Sequence, residues 1–317
     1  MKIFLLFPRG FCAGVNRATA ALSAALKKYA PPVYVYHEIV HNKWVVEYFR
    51  QRGAVFIDDI TTVPNGSVLL FSAHGVSPQV EAQAKAKGLK YIDAACPLVK
   101  KVHSEARRFV EAEYKVILIG HPRHDEVVGV QGEAADKIFV VDSPASIDKL
   151  LFTSEDKVAY ITQTTLSVEE AANTIEYLKA KFPGIACPAA KDICYATQNR
   201  QRAIQDGLQT IKNRLGEDTP SLVKAIIVGS ANSSNSIRLT EIARNQGCEA
   251  YLIDGAEDIQ PGDFQSDDVI LLSAGASAHE TLVQEVVEYF RKRFNAKVEE
   301  IRLCEENTVF QLPELPD

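Results

Sequence analysis

The sequence predicts an α/β protein built on parallel sheets. Between residues 2 and 294, apolar runs of strand length alternate with longer segments that carry a helical hydrophobic pattern. Gly, Pro, Ser and Asn are concentrated where the apolar runs end, as is typical of strand-to-helix turns. Because parallel strands need a crossover between them, this alternation favours parallel sheets covered by helices on both faces.

The predicted elements fall into three consecutive blocks. The first block comprises strands at 2–7, 33–37, 54–57, 67–72 and 90–93, with helices at 16–29, 43–51 and 78–87. The second comprises helices at 98–112 and 168–181, with strands at 115–119, 138–141 and 158–161. The third comprises helices at 195–214 and 280–294, with strands at 225–228, 250–253 and 269–272. Each block has the size of a small domain, which predicts domains at 1–96, 97–193 and 194–317.

Two segments fall outside this alternation. The hydrophilic segment 213–224 contains Gly216 and Pro220 and predicts a surface loop. The C-terminal segment 305–317 contains Pro313 and Pro316 and predicts an extended arm across the body or a partly disordered tail.

Composition and charge restrict the class of function. The chain has 317 residues, 46% hydrophobic and 24% charged, which is ordinary for a folded protein. A formal charge of −6 argues against a nucleic-acid partner and favours a small-molecule substrate. The N-terminus has no signal-peptide pattern and the apolar runs are too short to span a membrane, so we expect no membrane partner and a cytoplasmic location. The six cysteines include no Cys-x-x-Cys pair, which favours reduced thiols or metal thiolates over disulfides.

Three cysteines occupy turns that precede predicted helices. Cys12 lies in Pro-Arg-Gly-Phe-Cys-Ala-Gly-Val after the first strand, Cys96 lies just before Pro97, and Cys194 opens a helix. A helix start favours the thiolate form, and the repeated placement predicts one shared ligand. Three thiolates without a fourth suit either an iron–sulfur cluster with one open iron or a zinc ion with an open position. The remaining cysteines are interpreted as ordinary apolar residues: Cys187, Cys248 and Cys304.

Polar residues follow many of the predicted strands, where ligands of parallel α/β folds bind. Ser, Asn and Gly at 229–236 and 273–277 suit a phosphate at a helix start, although the same residue types are common helix caps. His41, His74 and His124 add donors that titrate near neutral pH, with a structural role as the alternative. Glu126, in a glycine-flanked loop, is the candidate general acid.

Eight motifs along the chain resemble those of the 4-hydroxy-3-methylbut-2-enyl diphosphate reductases, the family that performs the last step of the non-mevalonate isoprenoid pathway. The motifs are Pro8 to Val15, Glu38 to Asn42, Phe71 to Val76, Asp93 to Val99, Thr162 to Ser167, Ile193 to Thr197, Asn232 to Ser236 and Ala274 to Ser277.

The resemblance implies three similar α/β domains around a central 4Fe-4S cluster ligated by Cys12, Cys96 and Cys194. It implies that Glu126 supplies protons, assisted by His124 and Thr164. The substrate-binding residues that it implies are His41, His74, His124, Thr164, Ser233, Ser234, Asn235 and Ser277.

Two features depart from the family pattern. The family commonly has Gly before His124 and Pro after it, where this chain has Arg123 and Asp125. The segment 213–224 is also longer than usual. Neither departure removes a functional residue.

The implied reaction is a reductive dehydroxylation of (E)-4-hydroxy-3-methylbut-2-enyl diphosphate to isopentenyl and dimethylallyl diphosphate, with the substrate hydroxyl on the open iron. The chain has no Rossmann or flavin motif, and the family expectation is an external flavodoxin or ferredoxin as electron donor. An iron–sulfur sensor without turnover and a zinc hydrolase are the alternatives.

Overall fold

The computed structural model describes residues 1–153, 155–216 and 223–317. Within these ranges the strands form three sheets, and every strand pair in them is parallel. The predicted α/β class with parallel strands is therefore confirmed. Of the loop predicted at 213–224, residues 217–222 lie outside the described residues, whereas 213–215 form the end of a helix and 223–224 the start of a strand.

The elements agree closely with the predicted alternation. The strands are β1 (Lys2–Phe7), β2 (Val33–Tyr36), β3 (Ala54–Ile57), β4 (Val68–Phe71), β5 (Lys90–Asp93), β6 (Lys115–Ile119), β7 (Ile138–Val141), β8 (Val158–Thr162), β9 (Val223–Val228), β10 (Glu249–Ile253), β11 (Val269–Ala274) and β12 (Lys297–Arg302). The α-helices are α1 (Ala13–Tyr29), α2 (Lys43–Arg50), α3 (Pro78–Ala86), α4 (Pro97–Glu111), α5 (Asp125–Gln131), α6 (Pro144–Asp148), α7 (Val168–Lys181), α8 (Tyr195–Leu215), α9 (Ser234–Asn245) and α10 (Glu280–Phe294). Among the described helices, none combines the length and apolar composition needed to cross a membrane.

The chain divides into two compact units. Unit 1 comprises Met1–Ala13, His41–Glu47 and Tyr195–Val309, and unit 2 comprises Gly14–Val40, Tyr48–Cys194 and Phe310–Asp317. The domain boundaries predicted near residues 96 and 193 stay a prediction.

Unit 1 is built on a five-stranded sheet in the order β10-β9-β11-β1-β12. Strand β1 lies inside this sheet because both of its faces are apolar. Ile3 and Leu5 pack into a core with residues of α10, and Phe4 and Leu6 pack into a second core with residues of α8. The sequence order had grouped β1 with the first block, and the structure instead pairs it with β11 and β12. Strand β12 was not predicted, because its sequence Lys-Val-Glu-Glu-Ile-Arg has the weak pattern of an exposed edge strand.

Unit 2 contains a four-stranded sheet, β3-β2-β4-β5, and a three-stranded sheet, β7-β6-β8. Strand β4 is fully apolar, and β6 is apolar after Lys115, as expected of parallel strands covered on both faces. The short helix α5 occupies the segment that was predicted as a glycine-flanked loop. It forms because Val127 and Val130 are buried in the core beneath it.

The last residues of the chain form an extended arm, as predicted. Residues 303–317 contain neither helix nor strand. In unit 2, Arg17 of α1 donates to the carbonyl oxygen of Gln311 (2.8 Å), and Lys28 donates to that of Pro316 (2.9 Å). These contacts attach the arm to α1 through backbone carbonyls.

A buried ion pair fixes the first turn of unit 1. Arg200 of α8 is fully buried, and its two terminal nitrogens lie 3.0 and 3.1 Å from the carboxylate oxygens of Glu306. The same guanidinium donates to the carbonyl oxygens of Gly10 (2.8 Å) and Ala196 (2.9 Å). Arg200 therefore ties the start of α8 to the turn that contains Cys12.

We expect the substitution Glu306→Gln to destabilise the protein by about 2–4 kcal/mol, because it leaves the Arg200 charge buried without its counter-ion. Urea unfolding measures the change. Glu305→Gln is the matched control, since the Glu305 carboxylate is 61% exposed and such pairs contribute less than about 1 kcal/mol. Equal stability of the two variants would contradict a stabilising role for the buried pair.

Candidate active site

The turn after β1 holds Cys12 against the loop after β11. The N–H groups of Gly10 and Cys12 donate to the carbonyl oxygens of Ala274 (3.3 Å) and Ala276 (3.2 Å). Gly10 has a φ of +66°, and a Cβ at this position would lie 3.1 Å from the carbonyl oxygen of Ala278. The turn therefore needs glycine, and it places Cys12 immediately before α1.

A cluster of polar side chains lies at the start of α9 in unit 1 and consists of Ser233, Asn235, Ser236 and Ser277. Ser233 caps this helix by accepting from the N–H of Ser236, and the two hydroxyl oxygens are 3.0 Å apart. The hydroxyl of Ser277 donates to the carbonyl oxygen of His41 (2.9 Å) and lies 3.4 Å from that of Ser233. Because β9 and β11 are parallel neighbours, the loops after both strands meet at one edge of the sheet.

Asn235 is the unusual member of this cluster. Its side chain is almost completely buried, and neither its Oδ1 nor its Nδ2 atom has a hydrogen-bond partner. A buried amide without partners costs free energy, and a bound ligand that supplies the missing partner is one explanation for retaining it. The amide can donate two hydrogen bonds to an anionic ligand at the start of α9.

Cys96 and Cys194 belong to unit 2, and each has the backbone placement that the sequence predicts. The N–H of Cys96 donates to the carbonyl oxygen of Ala73 (3.0 Å), and Pro97 begins α4 directly after it. The N–H of Cys194 donates to the carbonyl oxygen of Thr164 (3.1 Å), one residue before α8 begins.

The chemistry of the six thiols separates these three cysteines from the others. Cys12, Cys96 and Cys194 are half-buried, and each lies immediately before the first residue of a helix. Cys248 is buried, and desolvation raises the pKa of its thiol to about 11. Cys187 and Cys304 are exposed. Three half-buried thiols that each precede a helix fit the donor set of an iron–sulfur cluster.

Glu126 is a buried carboxyl held by Thr164. Its Oε1 accepts from the N–H of Thr164 (2.7 Å), and its Oε2 lies 2.8 Å from the hydroxyl of Thr164. Burial raises the pKa of Glu126 from 4.5 to about 7, while the two hydrogen bonds from Thr164 oppose that increase. Glu126 can therefore hold a proton at neutral pH and release it with little cost.

Two histidines of unit 2, His74 and His124, lie near the start of α5. His124 caps α5, with its Nδ1 atom 3.2 Å from the N–H of Glu126. The rings of His74 and His124 meet edge to face, with their centroids 5.7 Å apart. The structure thus brings His74, His124, Glu126 and Thr164 together at the ends of β4, β6 and β8.

Sequence reasoning missed two residues of this group. Asp125 lies 2.9 Å from Nδ1 of His37, and its second oxygen lies 3.8 Å from Nδ1 of His74. The position of His37 directly after β2 was a usable signal, whereas the pairing with Asp125 depends on contacts between distant segments.

Each predicted site residue lies at the start of a helix or in a segment that follows a strand. Unit 1 contains Cys12, His41, Ser233, Ser234, Asn235 and Ser277. Unit 2 contains Cys96, Cys194, His74, His124, Glu126 and Thr164.

Residues 3–291 match the family described as LytB protein. A relative from Rhodopirellula baltica, named 4-hydroxy-3-methylbut-2-enyl diphosphate reductase, is 50% identical and is aligned over 99% of this chain and 95% of its own length. A relative of the same name from Histophilus somni is 46% identical, over 99% of this chain and 97% of its own length.

A solved structure shares the fold across nearly the whole chain. It is that of E-1-hydroxy-2-methyl-but-2-enyl-4-diphosphate reductase from Plasmodium falciparum, with a TM-score of 0.90 and 37% identity over 98% of this chain and 95% of that chain.

We expect the Glu126 carboxyl to stay protonated up to about pH 7 because of its burial. Infrared difference spectra between the wild type and Glu126→Gln should show a protonated-carboxyl band that disappears near that pH. Asp148→Asn is the control, because Lys181 and Tyr177 lower the pKa of Asp148 and the difference band should be confined to acidic solution. A Glu126 band that vanishes at the ordinary glutamate pKa of about 4.3 would contradict the assignment.

Proposed function

Because the chain belongs to the LytB protein family, we propose that it reduces (E)-4-hydroxy-3-methylbut-2-enyl diphosphate to isopentenyl diphosphate and dimethylallyl diphosphate. Relatives of 50% and 46% identity are named as reductases of this diphosphate, which supports conversion of the substrate over the sensor alternative. The observation that carries the proposal is the buried Glu126–Thr164 pair, since a sensor has no need of a proton donor poised near neutral pH.

Cys12, Cys96 and Cys194 would hold the 4Fe-4S cluster. The cluster, when bound, supplies electrons singly and offers an open iron to the substrate hydroxyl. The half-burial of all three thiols and their placement at helix starts support this assignment.

The diphosphate would be bound by hydroxyl, amide and imidazole donors. Asn235 supports this assignment, because a diphosphate oxygen would supply the partner that its buried amide otherwise lacks. The N–H groups at the start of α9 add further donors without a fixed charge. The full proposed set is His41, His74, His124, Thr164, Ser233, Ser234, Asn235 and Ser277.

Glu126 would deliver the protons. Replacement of the hydroxyl by hydrogen consumes two electrons and two protons and releases water. With a pKa of about 7, Glu126 is substantially protonated at neutral pH, and its contact with the Thr164 hydroxyl gives the proton a defined exit. The Nδ1 atom of His124 accepts from the Glu126 N–H, which fixes the orientation of the imidazole at the start of α5.

The electrons would come from a flavodoxin or ferredoxin in the cytoplasm. The chain carries no flavin or dinucleotide motif of its own, so a separate carrier must supply them. A reducing compartment also suits a protein whose function depends on thiolates.

The proposed cluster can be tested by metal analysis and turnover. Anaerobically purified protein should contain iron and sulfide and should convert the substrate with reduced methyl viologen. Cys194→Ser should lose both the cluster and the turnover, whereas Cys187→Ser, at an exposed thiol, should keep both. A colourless wild type after attempted reconstitution would favour the zinc alternative instead.

Another prediction concerns proton delivery. Glu126→Gln should retain iron, sulfide and the cluster absorbance but lower kcat by about 10²- to 10⁴-fold, because the amide cannot donate the carboxyl proton. Glu169→Gln, on the exposed face of α7, should leave kcat unchanged. Wild-type turnover in Glu126→Gln would remove Glu126 from the mechanism while leaving the cluster assignment intact.

A further inference from the structure

Asp125 connects two histidines in unit 2. One carboxylate oxygen lies 2.9 Å from Nδ1 of His37, within hydrogen-bonding distance. The other lies 3.8 Å from Nδ1 of His74, within ion-pair range. The carboxylate is about one-quarter exposed and His74 is 14% exposed, so water screens the contact only in part.

Three separate elements fix this arrangement. His37 follows β2 in the left-handed region with a φ of +58°, its N–H donates to the carbonyl oxygen of Ile57 (2.8 Å), and its ring stacks on Tyr36. Asp125 is the first residue of α5. His74 follows β4, with its Nδ1 atom 3.3 Å from the hydroxyl of Ser72.

We propose that Asp125 is a positioning residue that keeps the Nδ1 edge of His74 occupied by a proton, so that the opposite Nε2 edge is presented to the substrate diphosphate. His37 holds the carboxylate in place through its shorter contact. This inference rests on the proposed function, because it assigns the task of Asp125 through the diphosphate-binding role of His74.

The physical reason is which of the two nitrogens of an imidazole ring carries hydrogen in each protonation state. A carboxylate beside Nδ1 favours the form in which that nitrogen carries hydrogen, and it also favours the imidazolium, in which both nitrogens donate. An imidazolium donating from Nε2 binds a diphosphate oxygen more strongly than a neutral ring does. Carboxylates orient metal-ligating histidines by a hydrogen bond to the second ring nitrogen, whereas Asp125, at 3.8 Å, acts on His74 through its charge.

A purely structural role for Asp125 makes a different prediction. A carboxylate in the first turn of α5 interacts favourably with the helix dipole, and its loss would lower stability without a specific effect on anion binding. The two roles are separable by their readouts, because loss of the dipole interaction lowers stability alone, whereas loss of the His74 contact weakens anion binding.

The test is Asp125→Asn in the cluster-loaded enzyme, with inorganic diphosphate as a competitive inhibitor. At about pH 6 we expect KM for the substrate and Ki for inorganic diphosphate to rise about tenfold together, with kcat and the cluster absorbance within about twofold of wild type. Asp148→Asn, which removes an exposed carboxylate paired with Lys181, is the control and should change none of these quantities.

The pH dependence of Ki for inorganic diphosphate distinguishes a role that acts through the histidine protons from a pH-independent effect of the Asp125 charge. Within unit 2, the titratable groups around the carboxylate include His37, His74 and His124, with Tyr36 and Asp58 near His37. The hydrogen bond to Asp125 raises the pKa of His37. At about pH 9, where the histidines are neutral, the wild-type carboxylate repels the diphosphate. The lower Ki of the wild type relative to Asp125→Asn should therefore disappear or reverse at that pH.

The outcomes are distinct. Unchanged Ki for inorganic diphosphate at pH 6, or a loss of thermal stability without a change in Ki, overturns the positioning role. The positioning role is also overturned if the ratio of Ki in Asp125→Asn to Ki in the wild type is the same at pH 6 and pH 9. If the wild type itself has no turnover, the proposed function has failed and Ki cannot be measured, whereas calorimetric titration of both proteins with inorganic diphosphate still decides the role of Asp125.

Discussion

Parallel pairing constrains where this protein can carry its chemistry. Every strand pair in the described sheets is parallel, so the carboxyl ends of neighbouring strands lie at one edge. Residues far apart in sequence therefore become neighbours without long loops. In unit 1 this brings Ser233 next to Ser277, and in unit 2 it brings Glu126 next to Thr164. The candidate site depends on this constraint more than on any single contact.

The polar groups at these strand ends are costly for folding. Glu126 is buried with a raised pKa, and desolvation also raises the pKa of Asp192, whose carboxylate accepts from the N–H of Thr162. The amide of Asn235 has no partner at all. A protein selected only for stability would have apolar residues at such positions. Their concentration after the strands is the distribution expected where stability is exchanged for the proposed ligand binding and proton transfer.

Local pattern predicted most of the fold, because strand length, helical periodicity and turn residues are properties of short segments. The cysteine turns were visible for the same reason. The position of β1 within the sheet of unit 1 was not predictable, since its partners begin about 270 residues later. Contacts such as Arg200 with Glu306 and Asp125 with His37 also join distant segments, and no spacing rule reveals them. The resemblance to a family supplied the residue roles that the pattern alone left open.

Asp125 shows how a helix start can vary without a change of fold. The first position of a helix accepts Pro, whose missing N–H costs nothing there, and it accepts Asp, whose charge suits the dipole. Folding therefore does not decide between the two residues at the start of α5. Only Asp provides a carboxylate to His37 at 2.9 Å and to His74 at 3.8 Å. Because the fold accepts either residue at this position, the effect of Asp125 is on the two histidines that its carboxylate contacts. This is why we assign it the control of the histidine protons.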